Sequence, residues 1–122
     1  MEIVRHQNIN MEYKAGYTIR NVIEKNNIAV KLISISNKYG KMEPISHMEA
    51  MIVVLHSSGG QIFWGDSREN LDKSHVLDTG MTLHISNNEW FAFQSELEGI
   101  LELVMIYYSN KKCTKILKVH YI

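Results

Sequence analysis

Residues 40–60 read GKMEPISHMEAMIVVLHSSGG, and residues 80–93 read GMTLHISNNEWFAF. Each stretch opens on a glycine, crosses a polar break and enters a short apolar segment. In the first, Ala50 to Leu55 is rich in β-branched side chains (Ile52, Val53, Val54), and Ser57-Ser58-Gly59-Gly60 supplies a hairpin turn from which Gln61 to Trp64 returns. In the second, Met81 to Ile85 follows a turn at Asp78-Thr79-Gly80. Ser86-Asn87-Asn88 turns the chain again before Trp90 to Gln94. Four short strands joined by tight turns are therefore expected from these two stretches.

The same pattern extends outward. Tyr17, Ile19 and Ile23 alternate with Thr18, Arg20 and Glu24, and Ile28 to Ser36 carries Val30, Leu32, Ile33 and Ile35. Ser74 to Leu77 and Gly99 to Tyr108 add two more segments, and Asp66 to Asp72 is a polar connection. Eight or nine short strands at near-regular spacing predict an all-β sandwich or barrel. No segment sustains a 3.6-residue apolar stripe over three turns. Residues 6–14 fit either a short helix or an arm. The apolar tail, Ile116, Leu117, Val119, Tyr121 and Ile122, reads as a last strand at a sheet edge.

The two stretches resemble the paired motifs of the cupin superfamily. The first motif there reads glycine, five residues, His-x-His, three or four residues, glutamate, six residues, glycine. From Gly40 the His-x-His place falls on Ile45-Ser46-His47, the glutamate place on Met51 and the closing glycine on Ser58 or Gly59. The second motif reads glycine, five residues, Pro-x-Gly, two residues, histidine. From Gly80 these fall on Ser86-Asn87-Asn88 and Phe91. The resemblance implies an all-β, cupin-type double-stranded β-helix, a jelly-roll barrel, with a core over about 16–108. An N-terminal arm (1–15) and a C-terminal strand or tail (109–122) complete one domain, the number the length of 122 residues also suggests.

In such a barrel the motif residues hold a metal. Residues i and i+2 of a strand share a face, so two imidazoles converge, and imidazole with carboxylate suits Fe, Mn, Ni or Zn. Only His47 of the four places keeps a ligand; Ile45, Met51 and Phe91 replace the others. No cofactor is therefore expected. A rebuilt metal site would need His47 and Glu49, which share parity, with His56, His75 or His84 displaced toward them. Parity disfavours His56, and His84, between Leu83 and Ile85, is expected to point outward. Asn at the worn second turn tolerates left-handed backbone, so the frame survives the loss of Pro and Gly.

The replacements are apolar. Met51, Phe91 and Phe93, with Trp64 and Tyr17 beside them, read as the wall of a small-molecule pocket at the barrel mouth, with His47 as its hydrogen-bonding group. The expected ligand is small and partly apolar, aromatic or sugar-like. Two alternatives stand beside this reading. One is an isomerase, lyase or dioxygenase, with His47 as base and Glu49 or a tyrosine such as Tyr107 as acid. The other is a structural protein whose barrel its own side chains fill. Glu102 is expected on the outer, solvated face. Arg68 is a minor candidate for a substrate anchor.

Composition bounds the rest. Thirteen basic and thirteen acidic residues cancel, so no global field favours nucleic acid or anionic membrane. The single cysteine, Cys113, forms no intrachain disulfide, and no signal-peptide pattern opens the chain. A cytoplasmic protein is expected, without a DNA-binding module and dimeric through its sheet edges.

Overall fold

The computed structural model describes residues 1–96 and 98–108. Among the described residues ten strands form: β1 (Glu12–Lys14), β2 (Tyr17–Lys25), β3 (Ile28–Ile35), β4 (Ile45–Ser46), β5 (Ala50–Ser57), β6 (Gly60–Gly65), β7 (Lys73–Leu77), β8 (Thr82–Ile85), β9 (Trp90–Gln94) and β10 (Leu101–Tyr108). They make two antiparallel sheets. One has six strands in the order β1-β2-β3-β10-β5-β8, and the other four in the order β4-β9-β6-β7.

Local chemistry sets the turns. Asn26 and Asn27 both take positive φ (53° and 68°) between Lys25 and Ile28, the two-residue hairpin geometry that asparagine tolerates. Gly59 turns β5 into β6 at φ 70°. Gly16, at φ 89°, lies under the next loop: a Cβ there would sit 2.2 Å from the Met42 backbone nitrogen. Residues 6–14, open between helix and arm in sequence, hold a single 3-10 turn at His6–Asn8 and then β1, which pairs with β2. The expected strand in the tail 109–122 lies outside the described residues.

Alternation then builds the core between the sheets. Ile33 and Ile35 of β3, Leu101, Leu103 and Met105 of β10, and Ala50, Ile52 and Val54 of β5 meet Ile62, Leu77, Phe91 and Phe93 from the smaller sheet. Burying a side chain of this size is worth roughly 1.5–3 kcal/mol, so these strands are held mainly by one shared apolar layer. Two irregularities re-aim side chains. A bulge between Glu102 and Leu103 leaves Leu55 unpaired, and His56 consequently lies opposite Glu102 on the outer face. Residues 48 and 49 form a bend between β4 and β5, which breaks the alternation running from His47.

Candidate functional site

β4 and β9 pair Ile45 directly with Phe91, so two of the four motif places are cross-strand neighbours, as convergence requires. Phe91 is 1% exposed, in edge-to-face contact with Phe93 at 5.6 Å, and Ile45 packs against the core. The third place needs correction. Met51 is 42% exposed on the outer face of β5, whereas Ile52 is fully buried among the core residues. The bend at residues 48–49 resets the parity. The longer motif spacing, four residues after His47, then puts the acid's place at Ile52 and the closing glycine at Gly59. Met51 is therefore no part of an interior wall.

The fourth place, His47, turns aside. Its Nδ1 lies 2.9 Å from the Met48 carbonyl oxygen, and its ring meets Tyr107 edge-on at 4.4 Å between centroids. A carbonyl only accepts, so Nδ1 carries the proton there, and the ring nitrogen left to act as an acceptor is Nε2. Glu49 does not share this face. Its Oε2 sits 2.8 Å from His84 Nε2, and both side chains are more than half exposed. The same bend that misplaces Met51 accounts for this: Glu49 reaches the outer edge beside β8. The four motif places thus offer one imidazole, and that donor set does not fit a divalent metal of the cupin type. Among the described residues, no three His, Cys, Asp or Glu side chains gather as metal ligands.

A cavity of about 460 Å³ opens beside these filled places, between β8 of the larger sheet and β6, β7 and β9 of the smaller. Trp64, Ile62 and Phe91 form its apolar side, facing Met81, Leu83 and Ile85, and Thr82, His75, His84 and Glu89 supply polar groups. His75 reaches it because β7 pairs His75 with Ile62 and so shares that residue's face. Its Nδ1 donates to the Val76 carbonyl, leaving Nε2 as an acceptor. Glu89 accepts the Ser86 backbone N–H at 2.9 Å, which fixes the carboxylate at the end of β8. His84, expected to point outward, is exposed as β8 alternation requires, and on an edge strand it also borders the cavity.

Of the expected wall, Trp64 and Phe91 line this cavity. Phe93 does not. It is buried beside Phe91 and borders a second hollow of about 720 Å³, walled on one side by the loop at residues 36–44 and on the other by Phe63, Leu71 and the Ala92–Ser95 segment. Tyr17 lies on the inner face at the far side of the larger sheet, opposite Ile35, where burial pushes its hydroxyl above the ordinary pKa and the nearby Lys31 charge partly offsets this. Glu102, on β10, lies opposite His56 and away from the core, as expected. Arg68 pairs with Glu43 at 3.5 Å on the surface, outside the cavity lining.

Sequence reasoning missed Ile62, Met81, Thr82, Leu83 and Ile85 as cavity residues. The alternation of β6 and β8 gave each a face, but which faces enclose space depends on how far apart two edge strands stand.

The sequence matches no protein-family model, and no curated protein matches it by sequence. Its fold matches solved structures closely. The polyketide cyclase RemF from Streptomyces resistomycificus superposes with a TM-score of 0.72 at 16% identity, over 90% of this chain and 80% of that one. KdgF from Halomonas sp. does so at 0.68 and 8% identity, over 93% of this chain and 99% of that one. Hydroxypropylphosphonic acid epoxidase from S. wedmorenis does so at 0.69 and 16% identity, over 88% of this chain. This chain spans about 59% of the epoxidase's length. At these identities the likeness is one of fold. Two antiparallel sheets in this order, matched by these structures over most of the chain, make this a cupin-fold protein.

Proposed function

We propose that the chain binds a small molecule with a flat apolar face, an aromatic or sugar-like metabolite, in the cavity between β8 and β6–β7. The observation that carries this reading is the cavity itself. Its volume of about 460 Å³ lies in the range of small-molecule sites, and an indole and a phenyl ring stand on one wall with Thr82, His75, His84 and Glu89 around them. Of the apolar side chains at the motif places, Phe91 alone lines this cavity, where its ring supports binding by shape and stacking. His47 belongs to this reading as a group at the neighbouring end of the barrel rather than in the cavity wall.

The test is a thermal-shift screen of aromatic and sugar-like metabolites, repeated on Trp64→Ala. Binding should raise the melting temperature of the parent protein, and the variant should bind about three- to tenfold more weakly through loss of stacking. Hits that bind Trp64→Ala equally well would place the ligand elsewhere.

A second reading has one specific observation in its favour. The Tyr107 ring contacts His47, whose Nε2 is an acceptor, which suits acid–base chemistry by the two side chains. Glu49, the other candidate acid, is engaged by His84 instead. Under this reading His47→Gln abolishes turnover of a bound ligand while leaving its affinity within about twofold.

A further inference from the structure

Glu89 stands in the turn that joins β8 to β9, and that turn fixes it twice. Its backbone N–H donates to the Ser86 carbonyl at 3.2 Å, and its Oε1 accepts the Ser86 N–H at 2.9 Å. One carboxylate oxygen is thereby committed to the backbone, which leaves Oε2 as a further acceptor. The side chain is half-buried and borders the cavity. Among the described residues no lysine, arginine or histidine lies within ion-pair distance of this carboxylate. A carboxylate on a largely apolar wall is costly unless its charge is compensated. This wall supplies no compensation of its own.

The carboxylate and the rings share one open space. Trp64, Phe91 and Glu89 all line the same cavity. Phe91 lies directly opposite Trp64, and Glu89 precedes Phe91 by two residues, a strand repeat of roughly 7 Å. A ring seated against Trp64 and Phe91 therefore has Glu89 within reach of a short arm. The other polar groups add no positive charge from lysine or arginine: neither residue type is among the described lining. His75 offers Nε2 as an acceptor, and His84 is committed to Glu49, a second carboxylate beside the rim, at 2.8 Å. Lys73, which β7 sets opposite Trp64, pairs with Asp72 at 3.4 Å and lies outside the lining.

We infer that Glu89 is the cation-binding end of the ligand site, so that the molecule held against Trp64 and Phe91 is an apolar amine whose ammonium meets the Glu89 carboxylate. The two aromatic faces favour the same charge, because a ring quadrupole attracts a cation held within about 6 Å of its centre. An ammonium brings three donors to a site of acceptors. A carboxylic acid or a phosphate ester would instead set like charges together, with no lysine or arginine in the described wall to offset them. The inference rests on the cavity reading above and assigns the chemical class of its ligand.

A matched pair of probes separates the two. 1-Naphthylmethylamine and 1-naphthylmethanol share a ring and a one-carbon arm and differ in charge, and calorimetry at low salt near neutral pH gives both affinities. For the parent protein the amine should bind about tenfold or more tightly than the alcohol, as a charge-assisted contact provides. Glu89→Gln keeps an acceptor for the Ser86 N–H and removes the charge. It should bring the two probes within about twofold without altering the alcohol. Glu49→Gln, at a carboxylate outside the lining, should retain the preference. Melting curves check that each variant is folded. Equal binding of amine and alcohol by the parent, or a preference that survives Glu89→Gln, overturns the amine assignment and leaves the cavity reading intact. Binding of neither probe overturns both. Weaker binding of amine and alcohol alike to Trp64→Ala, with the preference kept, supports both.

Discussion

Phe91 stands where a histidine would complete a cupin metal shell, and its ring is packed into the core at 1% exposure. Truncating it should therefore cost stability first: Phe91→Ala is expected to lose about 3–5 kcal/mol in urea denaturation, the usual cost of emptying a buried aromatic site. Met51→Ala, on the outer face of β5, should stay within about 1 kcal/mol, and Ile52→Ala should cost about 2–5 kcal/mol. The reverse order would contradict the reassignment of the motif from Met51 to Ile52. Tyr17 gives a pH prediction. Its raised pKa means that folded and unfolded chains both hold the proton below about pH 10, while above it the unfolded chain releases the proton first. Stability should then fall as pH rises above about 10 and through the folded pKa, and Tyr17→Phe should flatten that fall in urea midpoints. At this scale His47, Trp64 and Phe91 were legible in the sequence as residues of interest. Regular alternation through Met48-Glu49 predicts Glu49 and Met51 on the inner face, but the chain bends there and both lie outside.

The elements depend on a few positions that no pattern of apolar residues reveals. Gly16 joins β1 to β2 at positive φ with the Met42 backbone pressed against it. Gly16→Ala is expected to cost about 1–3 kcal/mol from backbone conformation alone, and more from the collision, with a matching loss in melting temperature. The Glu49–His84 pair, by contrast, joins the edge strand β8 to the bend before β5 in full view of solvent. Glu49→Gln should therefore shift stability by no more than about 1 kcal/mol, and that shift should vanish in high salt. Eight of the ten strands were legible from alternation and turn chemistry. β1 and the two-residue β4 were not, because strands that short carry too few residues to show a period; pairing with β2 and β9 makes them strands. His56 was expected outside on parity with His47. It is outside because the bulge at Leu55 shifts β5 by one residue, a feature written in the pairing of two distant segments rather than in either one.

At the scale of the molecule, turns and apolar alternation specify two sheets that enclose one core, and the worn motifs show where the two sheets come together. The same motifs located the place where cupin chemistry is usually housed, and in this chain Ile45, Ile52 and Phe91 fill it. The cavity beside it was not legible, since its size depends on the gap between β8 and β7, which belong to different sheets. Trp64 lines that cavity, whereas Trp90 lies on the neighbouring strand outside its lining, so the chain carries a reporter and a control. The most direct test is a titration with 1-naphthylmethylamine followed by the two tryptophan indole N–H resonances in an ¹H–¹⁵N spectrum. A saturable shift of the Trp64 resonance, with Trp90 unmoved, is the expected result. A Trp64 resonance that stays in place at millimolar probe, or two resonances that move together, would contradict a ligand site between β8 and β6–β7.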